Sequence, residues 1–252
     1  MISKNTIKFV RSLEMKKKRT AERLFVAEGP KVVGDLMRHA SPVHLYATRE
    51  WIAANNGTTA GAMEITEDEL YRLSFLQNPQ QVLAVFPIPR QAGDDMWTVR
   101  PGDGLTIALD GVQDPGNFGT IIRIADWFGI RTILCSHDTA DAYNPKVVQA
   151  TMGSIARTRI IYTDLCRTLS ALDKAIPVYG TLLDGDNIYT QELTADGIIV
   201  FGNEGKGISP AVRQIVSRRL LIPDFCEGNT AESLNVAIAT AITCSEFRRR
   251  HI

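Results

Sequence analysis

Ile198-Ile199-Val200-Phe201-Gly202-Asn203-Glu204-Gly205-Lys206-Gly207-Ile208-Ser209-Pro210 begins as an apolar run and breaks into a glycine-rich loop. A short continuous apolar run bounded by turn residues fits a strand buried on both faces. Three glycines within six residues let backbone turn tightly and lie close to a ligand. The loop fits neither common phosphate fingerprint. A P-loop needs glycine five positions before Gly205, where Val200 stands, and the dinucleotide fingerprint starting at Gly205 needs glycine where Pro210 stands. NTPase and dehydrogenase readings lose most of their weight on that ground.

Working outward, comparable apolar runs occur at Leu105–Leu109, Thr132–Cys135, Arg159–Tyr162, Val178–Leu182 and Leu220–Ile222, with helical patterns between most of them. Strands alternating with helices predict an α/β fold with a parallel sheet covered on both faces. A long helix is expected from Leu234 to Arg250, where Arg248-Arg249-Arg250 suits a helix C-terminus electrostatically. Upstream, Ile7, Val10 and Leu13 repeat at helical spacing, and short strands are expected at Leu24–Ala27, Val43–Ala47 and Val82–Phe86. Helices are expected over Val32–Met37, near 49–55 and over 67–74. Pro87, Pro89, Gly93, Pro101, Gly102 and Gly104 crowd one stretch. This predicts a small α/β domain at 1–92, a linker at 93–104 and a larger domain at 105–252.

Two more loops stand at strand ends. Asp110-Gly111-Val112-Gln113-Asp114-Pro115-Gly116-Asn117-Phe118-Gly119 opens a helix, and Arg123 follows within two turns of Asn117. Free N–H groups at such a helix start favour an anion. Ile222-Pro223-Asp224-Phe225-Cys226-Glu227-Gly228-Asn229-Thr230-Ala231-Glu232-Ser233-Leu234-Asn235-Val236 runs from a strand end through a polar loop into the last helix, with Ser233 as a reasonable N-cap. Any one of these loops fits a mere connection. Together they are three strand-end loops in one α/β domain, where open sheets bind ligands.

Charge is distributed unevenly. Lys+Arg and Asp+Glu balance at 28 each over 252 residues, yet residues 1–38 carry ten Lys/Arg against four acids. That end therefore suits a polyanion, with Lys16, Lys17, Lys18, Arg19 and Arg23 as its densest cluster, although a solvated helix face explains a charge run equally well. Cys135, Cys166, Cys226 and Cys244 are dispersed, and His39, His44, His137 and His251 have no metal-ligand spacing. With no apolar run long enough to span a membrane, the expectation is a reduced, cytoplasmic protein without metal or membrane.

In order and spacing the three loops resemble the motifs of the SpoU (TrmH-type) branch of the SPOUT methyltransferases, over roughly residues 105–250. The resemblance rests on Asn117, Gly119 and Arg123; on Gly202, Glu204, Gly205 and Gly207; and on Ile222, Pro223, Ser233, Leu234, Asn235 and Val236. Ala150-Thr151-Met152-Gly153-Ser154 resembles the family's small-residue segment. Phe25-Val26-Ala27-Glu28-Gly29 is similar to a substrate-binding domain with a ribosomal-protein-type RNA-binding fold. Ile124 and Trp127 stand where relatives often have smaller residues, and Ala237 where serine is frequent.

The resemblance implies a C-terminal trefoil knot, a homodimer and S-adenosyl-L-methionine as methyl donor to a ribose 2′-hydroxyl. Ribosomal RNA is the expected substrate, with transfer RNA as runner-up and a non-catalytic knotted RNA-binding protein as the other alternative. Gly202, Gly207, Ile222 and Leu234 are expected to bind the cofactor, chiefly through backbone groups. Arg123, Asn117, Glu204, Ser233 and Asn235 form the expected catalytic set. A guanidinium stays protonated at neutral pH, so Arg123 is expected to grip a phosphate and stabilise developing alkoxide. Glu204 is expected to steady the loop or Arg123, and Asn235 to cap the last helix or orient the nucleotide.

Overall fold

A computed structural model describes residues 2–55, 61–89, 102–226 and 232–251. The chain divides into two compact units, one formed by 1–90 with 141–156 and the other by 91–140 with 157–252.

The first unit begins with α1 (Lys4–Ser12), α2 (Lys16–Glu22), β1 (Leu24–Glu28), α3 (Pro30–Met37), β2 (His44–Ala47), α4 (Arg49–Ala54), β3 (Met63–Glu64), α5 (Glu67–Leu73) and β4 (Val82–Pro87). The strands order as β1-β4-β2-β3. β4 is antiparallel to both β1 and β2, while the short β3 pairs parallel with β2. Apolar residues of α1 (Val10), α5 (Leu70, Leu73) and the sheet (Val26, Tyr46, Leu83, Val85) meet in one core. Thr66 and Glu69 close a reciprocal capping box at the start of α5, satisfying two otherwise orphaned donors.

The second unit begins with β5 (Leu105–Asp110), α6 (Pro115–Trp127) and β6 (Thr132–Cys135). The chain then contributes residues 141–156 to the first unit, including α7 (Pro145–Ala150), which packs on β1. There the Phe25 and Tyr143 rings lie 4.9 Å apart. Afterwards β7 (Arg159–Tyr162), α8 (Leu165–Ser170), β8 (Val178–Asn187), β9 (Gly197–Gly202), α9 (Pro210–Arg213), β10 (Arg218–Leu221) and α10 (Val236–Arg249) complete the second unit. Its six strands order as β10-β8-β9-β5-β6-β7 and every pairing is parallel.

Side chains alternate across this sheet. Ala108, Leu134, Ile198 and Val200 face a core shared with Leu165 and Leu169 of α8 and Val212 of α9. The alternate residues, Ile107, Leu109, Ile199 and Phe201, are equally buried. α10 lies along α6. Its C-terminal arginines are engaged within the unit. Arg248 donates to the Phe128 carbonyl at 2.8 Å, Arg250 to the Tyr189 carbonyl at 2.6 Å, and Arg249 pairs with Glu246 at 2.7 Å.

Several boundaries differ from the sequence expectation. β8 continues past Leu182 to Asn187 because Asp186 and Asn187 pair with Leu220 and Leu221 of β10. β3 is too short to leave a pattern. The last helix starts at Val236, capped by Asn235 rather than Ser233: Asn235 Oδ1 accepts from the amides of Ala237 (2.9 Å) and Ile238 (3.3 Å). Most of the expected linker, 93–104, falls outside the described residues, and only 102–104 are described.

Candidate active site

Because the strands of the second unit are parallel, the carboxyl ends of β5, β9 and β10 share one edge of the sheet, and each leads into one of the three motif loops. Asp114 caps α6 by accepting from the Asn117 amide at 2.7 Å, and Pro115 occupies the first helical position. Arg123 projects from the middle of α6.

After β9 the backbone doubles back. Asn203 and Gly207 exchange both backbone hydrogen bonds, at 3.0 and 2.9 Å. A Cβ at Gly202 would stand 2.1 Å from the Gly207 carbonyl carbon, and Gly207 has φ +68°. The two glycines are thus required by the return of the loop itself. Asn203 Oδ1 accepts from the amides of Gly205 and Lys206, both at 3.0 Å, and fixes the turn between them.

The loops are tied together by polar side chains. The Glu204 carboxylate accepts from the amides of Gln113 (3.3 Å) and Asp114 (3.2 Å) and from Asn117 Nδ2 (3.2 Å). Asn117 Oδ1 in turn accepts from Asn235 Nδ2 at 2.9 Å. One unbroken chain, Glu204–Asn117–Asn235, therefore links all three motifs. Asn203 Nδ2 donates to the Gly111 carbonyl at 2.7 Å, and Asp110 Oδ2 accepts from the Ser209 amide at 2.7 Å, adding two struts between the first and second loops.

The second and third loops border a cavity of about 690 Å³, and the first is tied to it through Glu204. Gly202, Gly207, Ile222 and Leu234 all line it, as do Glu204 and Ser233. Asn117 and Asn235 do not line it; Asn117 donates to Glu204, which does, and Asn235 donates to Asn117. Arg123 does not line it; it is exposed, and among the described residues it has no hydrogen bond or ion pair. Glu204 steadies the first loop and makes no ion pair with Arg123 among the described residues.

One expected RNA-binding residue is not available as expected. Lys16, Lys17, Lys18 and Arg23 are exposed, but Arg19 is 2% exposed. Its guanidinium pairs with Asp141 at 2.6 Å and donates to the carbonyls of Leu13 (2.8 Å) and Glu14 (2.6 Å). Helical geometry turns this member of the basic run inward, where its guanidinium is held by Asp141 and two backbone carbonyls rather than presented to solvent.

Sequence reasoning missed one wall of the cavity, Thr181–Asp184, where β8 breaks its pairing with β10. The register passes from Gly180 opposite Arg219 to Asp186 opposite Leu220. The polar Asp184-Gly185-Asp186 at a strand end was the available signal. Asn203 and Asp110 were also overlooked as struts. Buried thiols offer no nucleophile here: burial pushes Cys244 up to about 12 and Cys135 well above its ordinary value. Among the described residues no cluster of His, Cys, Asp or Glu is arranged to hold a metal ion. No described helix is long and apolar enough to cross a membrane.

Known proteins match this architecture along its whole length. The SpoU rRNA Methylase family matches residues 104–245, and the MRM3-like substrate binding domain matches 4–84. The chain is 30% identical over 246 residues, 96% of its length, to the 23S rRNA (guanosine(2553)-2′-O)-methyltransferase RlmP of Bacillus subtilis, 95% of which is covered. A solved TrmH-family structure from Porphyromonas gingivalis superposes with TM-score 0.87 at 43% identity, covering 99% of both chains. The AdoMet-bound rRNA methyltransferase from Sinorhizobium meliloti superposes with TM-score 0.85 at 30% identity, covering 100% of this chain and 97% of that one. With the motifs, the sheet and both halves of the sequence in agreement, this chain belongs to the SpoU rRNA methylase family.

Proposed function

We propose that this protein transfers a methyl group from S-adenosylmethionine to a ribose 2′-hydroxyl of ribosomal RNA. The observation that carries the reading is the Glu204–Asn117–Asn235 chain joining three motif loops, two of which border one cavity. The likeness to RlmP over nearly the full length of both chains supports ribosomal RNA over transfer RNA.

The cavity fits the cofactor in size, since cofactor sites span roughly 300–1,000 Å³, and in character. Its floor is strand-end backbone, and Leu183 (73% exposed) and Leu234 (51%) present apolar surface that a nucleoside would cover. When bound, S-adenosylmethionine supplies an electrophilic methyl carbon on a sulfonium sulfur. Backbone groups of Gly202, Gly207, Ile222 and Leu234, which line the cavity, would hold it in place. Glu204 fixes Asn117 and the first loop, so that the substrate oxygen is aligned by a rigid frame. Arg123, exposed and uncommitted, grips the phosphate beside the target ribose and stabilises negative charge developing on the 2′-oxygen. Asn235 and Ser233 orient the nucleotide at the loop rim.

The first unit serves as the RNA-binding domain, with Lys16, Lys17, Lys18 and Arg23 contacting phosphates. The exposed Trp127 (85%) and Ile238 (52%) on the paired α6 and α10 support a homodimer through that face; a monomer-sized species in sedimentation velocity overturns it. The strand order, in which the chain passes from β9 over β8 to β10, is in keeping with the knotted path the family implies. Incubating the protein with isotope-labelled cofactor and bacterial ribosomal RNA, then mapping 2′-O-methyl sites, tests the function. Label that enters no ribose overturns it.

A further inference from the structure

Among the described residues the cavity is lined by five charged side chains: Asp184, Glu204, Lys206, Arg213 and Glu232. Three of these are already engaged by the protein. Asp184 pairs with Arg213 and, at 3.4 Å, with Arg219. Glu204 receives the three N–H donors of the first loop. Lys206 and Glu232 differ. Both are exposed at the cavity, and among the described residues neither side chain has a hydrogen bond or ion pair.

The turn that presents Lys206 is built without its ammonium group, because Asn203 Oδ1 holds the backbone amides and Gly207 supplies the left-handed residue. The two side chains are therefore opposite charges without a partner among the described residues, displayed on two different loops of one cavity. Among the described residues the lining sets three carboxylates against two cations, a net single negative charge.

Resting on the reading that this cavity takes S-adenosylmethionine, we propose that Lys206 and Glu232 bind the amino-acid end of the cofactor, Lys206 pairing with its carboxylate and Glu232 with its ammonium. Each ionic end finds its complement, and charge-assisted hydrogen bonds of this kind are about twice as strong as neutral ones. The net negative lining suits the cationic methyl donor better than the neutral product, S-adenosylhomocysteine, which favours exchange after transfer.

Calorimetry with two compounds tests the assignment. S-adenosylhomocysteine carries the amino-acid end, whereas 5′-methylthioadenosine has the same thioadenosine without it. Wild-type protein should bind the first more tightly. Lys206→Met and Glu232→Gln should each weaken S-adenosylhomocysteine roughly tenfold, as expected for loss of one charged hydrogen bond, and leave 5′-methylthioadenosine unchanged. Unchanged S-adenosylhomocysteine affinity in both variants overturns the proposal, including the outcome in which Lys206→Met weakens only RNA binding. Equal weakening of both compounds also overturns it, since that marks a distorted loop. Wild-type protein that binds neither compound would overturn the cofactor reading itself, and this assignment with it.

Discussion

The Asn235 side-chain amide performs two tasks at once: its Oδ1 caps α10, and its Nδ2 donates to Asn117 Oδ1 at 2.9 Å across two motif loops. The tasks use different atoms and so separate by substitution. Asn235→Asp keeps a good N-cap and places a carboxylate at the positive end of the helix, but removes the donor to Asn117. It should melt within about 0.5 kcal/mol of wild type while methyl transfer falls. Asn235→Ala loses both and should cost a further ~1 kcal/mol of stability. Wild-type transfer rates in Asn235→Asp would show that the bond to Asn117 is dispensable.

Arg123 is exposed and makes no described ion pair, so shortening it should leave the fold untouched. Arg123→Ala should lower kcat by about 10²–10³, the usual cost of removing one donor to developing negative charge. Binding of S-adenosylhomocysteine should persist. Arg123→Lys restores charge without the planar fork and should recover only part of the loss. Full activity in Arg123→Ala would remove the proposed mechanism.

The basic run of α2 should divide into two behaviours. Arg19→Met strands the largely buried Asp141 and should destabilise the first unit by about 3 kcal/mol. Replacing Lys16, Lys17 and Lys18 together with alanine should change stability by less than about 0.5 kcal/mol. The triple variant should instead weaken RNA binding and reduce its salt slope by roughly 2–3. Thermal melts and filter binding at several salt concentrations distinguish the two, and equal stability losses would refute the division.

Glu28, 5% exposed, accepts from the Phe75 amide at 2.9 Å and from Ser74 Oγ. Burial, the largest influence, raises its pKa above the ordinary 4.5, against the opposing hydrogen bonds of Ser74 and Phe75 and the charge of Arg11. The native state thus holds this proton more tightly than the unfolded chain. Its contribution is greatest below the ordinary glutamate pKa and declines as pH rises through the native one. Glu28→Gln removes that decline. Urea titrations followed by the buried Trp51, with Trp97 and Trp127 replaced by phenylalanine, should show the wild-type midpoint falling relative to the variant across this window. A constant difference would contradict the shift.

The parallel sheet was legible because Ile198–Phe201 and its companions are apolar on both faces, a pattern that needs no knowledge of partners. The cofactor loops were legible for a different reason: Gly202, Glu204, Asn117 and Asn235 stand at recognisable spacings. What escaped depended on contacts distant in sequence. Nothing in Lys16-Lys17-Lys18-Arg19 says which cation turns inward, because Asp141 lies 122 residues away. Ser233 and Asn235 are both acceptable caps, and the choice is made by the bond Asn235 finds in Asn117. At the Thr181–Asp184 wall only the polar Asp184-Gly185-Asp186 stood out locally, while the broken register that opens it depends on the pairing with β10, in which Gly180 stands opposite the distant Arg219.

The excursion of residues 141–156 has a practical consequence. Although the first ninety residues read as a module, cutting the chain in the 93–104 stretch would not yield two self-sufficient pieces. The amino-terminal fragment would lose α7 from the surface of β1 and leave Arg19 a buried cation without its carboxylate. The carboxyl-terminal fragment would carry sixteen residues whose packing partners had been removed. Grafting this module onto another enzyme therefore requires moving two separate segments of chain, the second of them drawn from between β6 and β7.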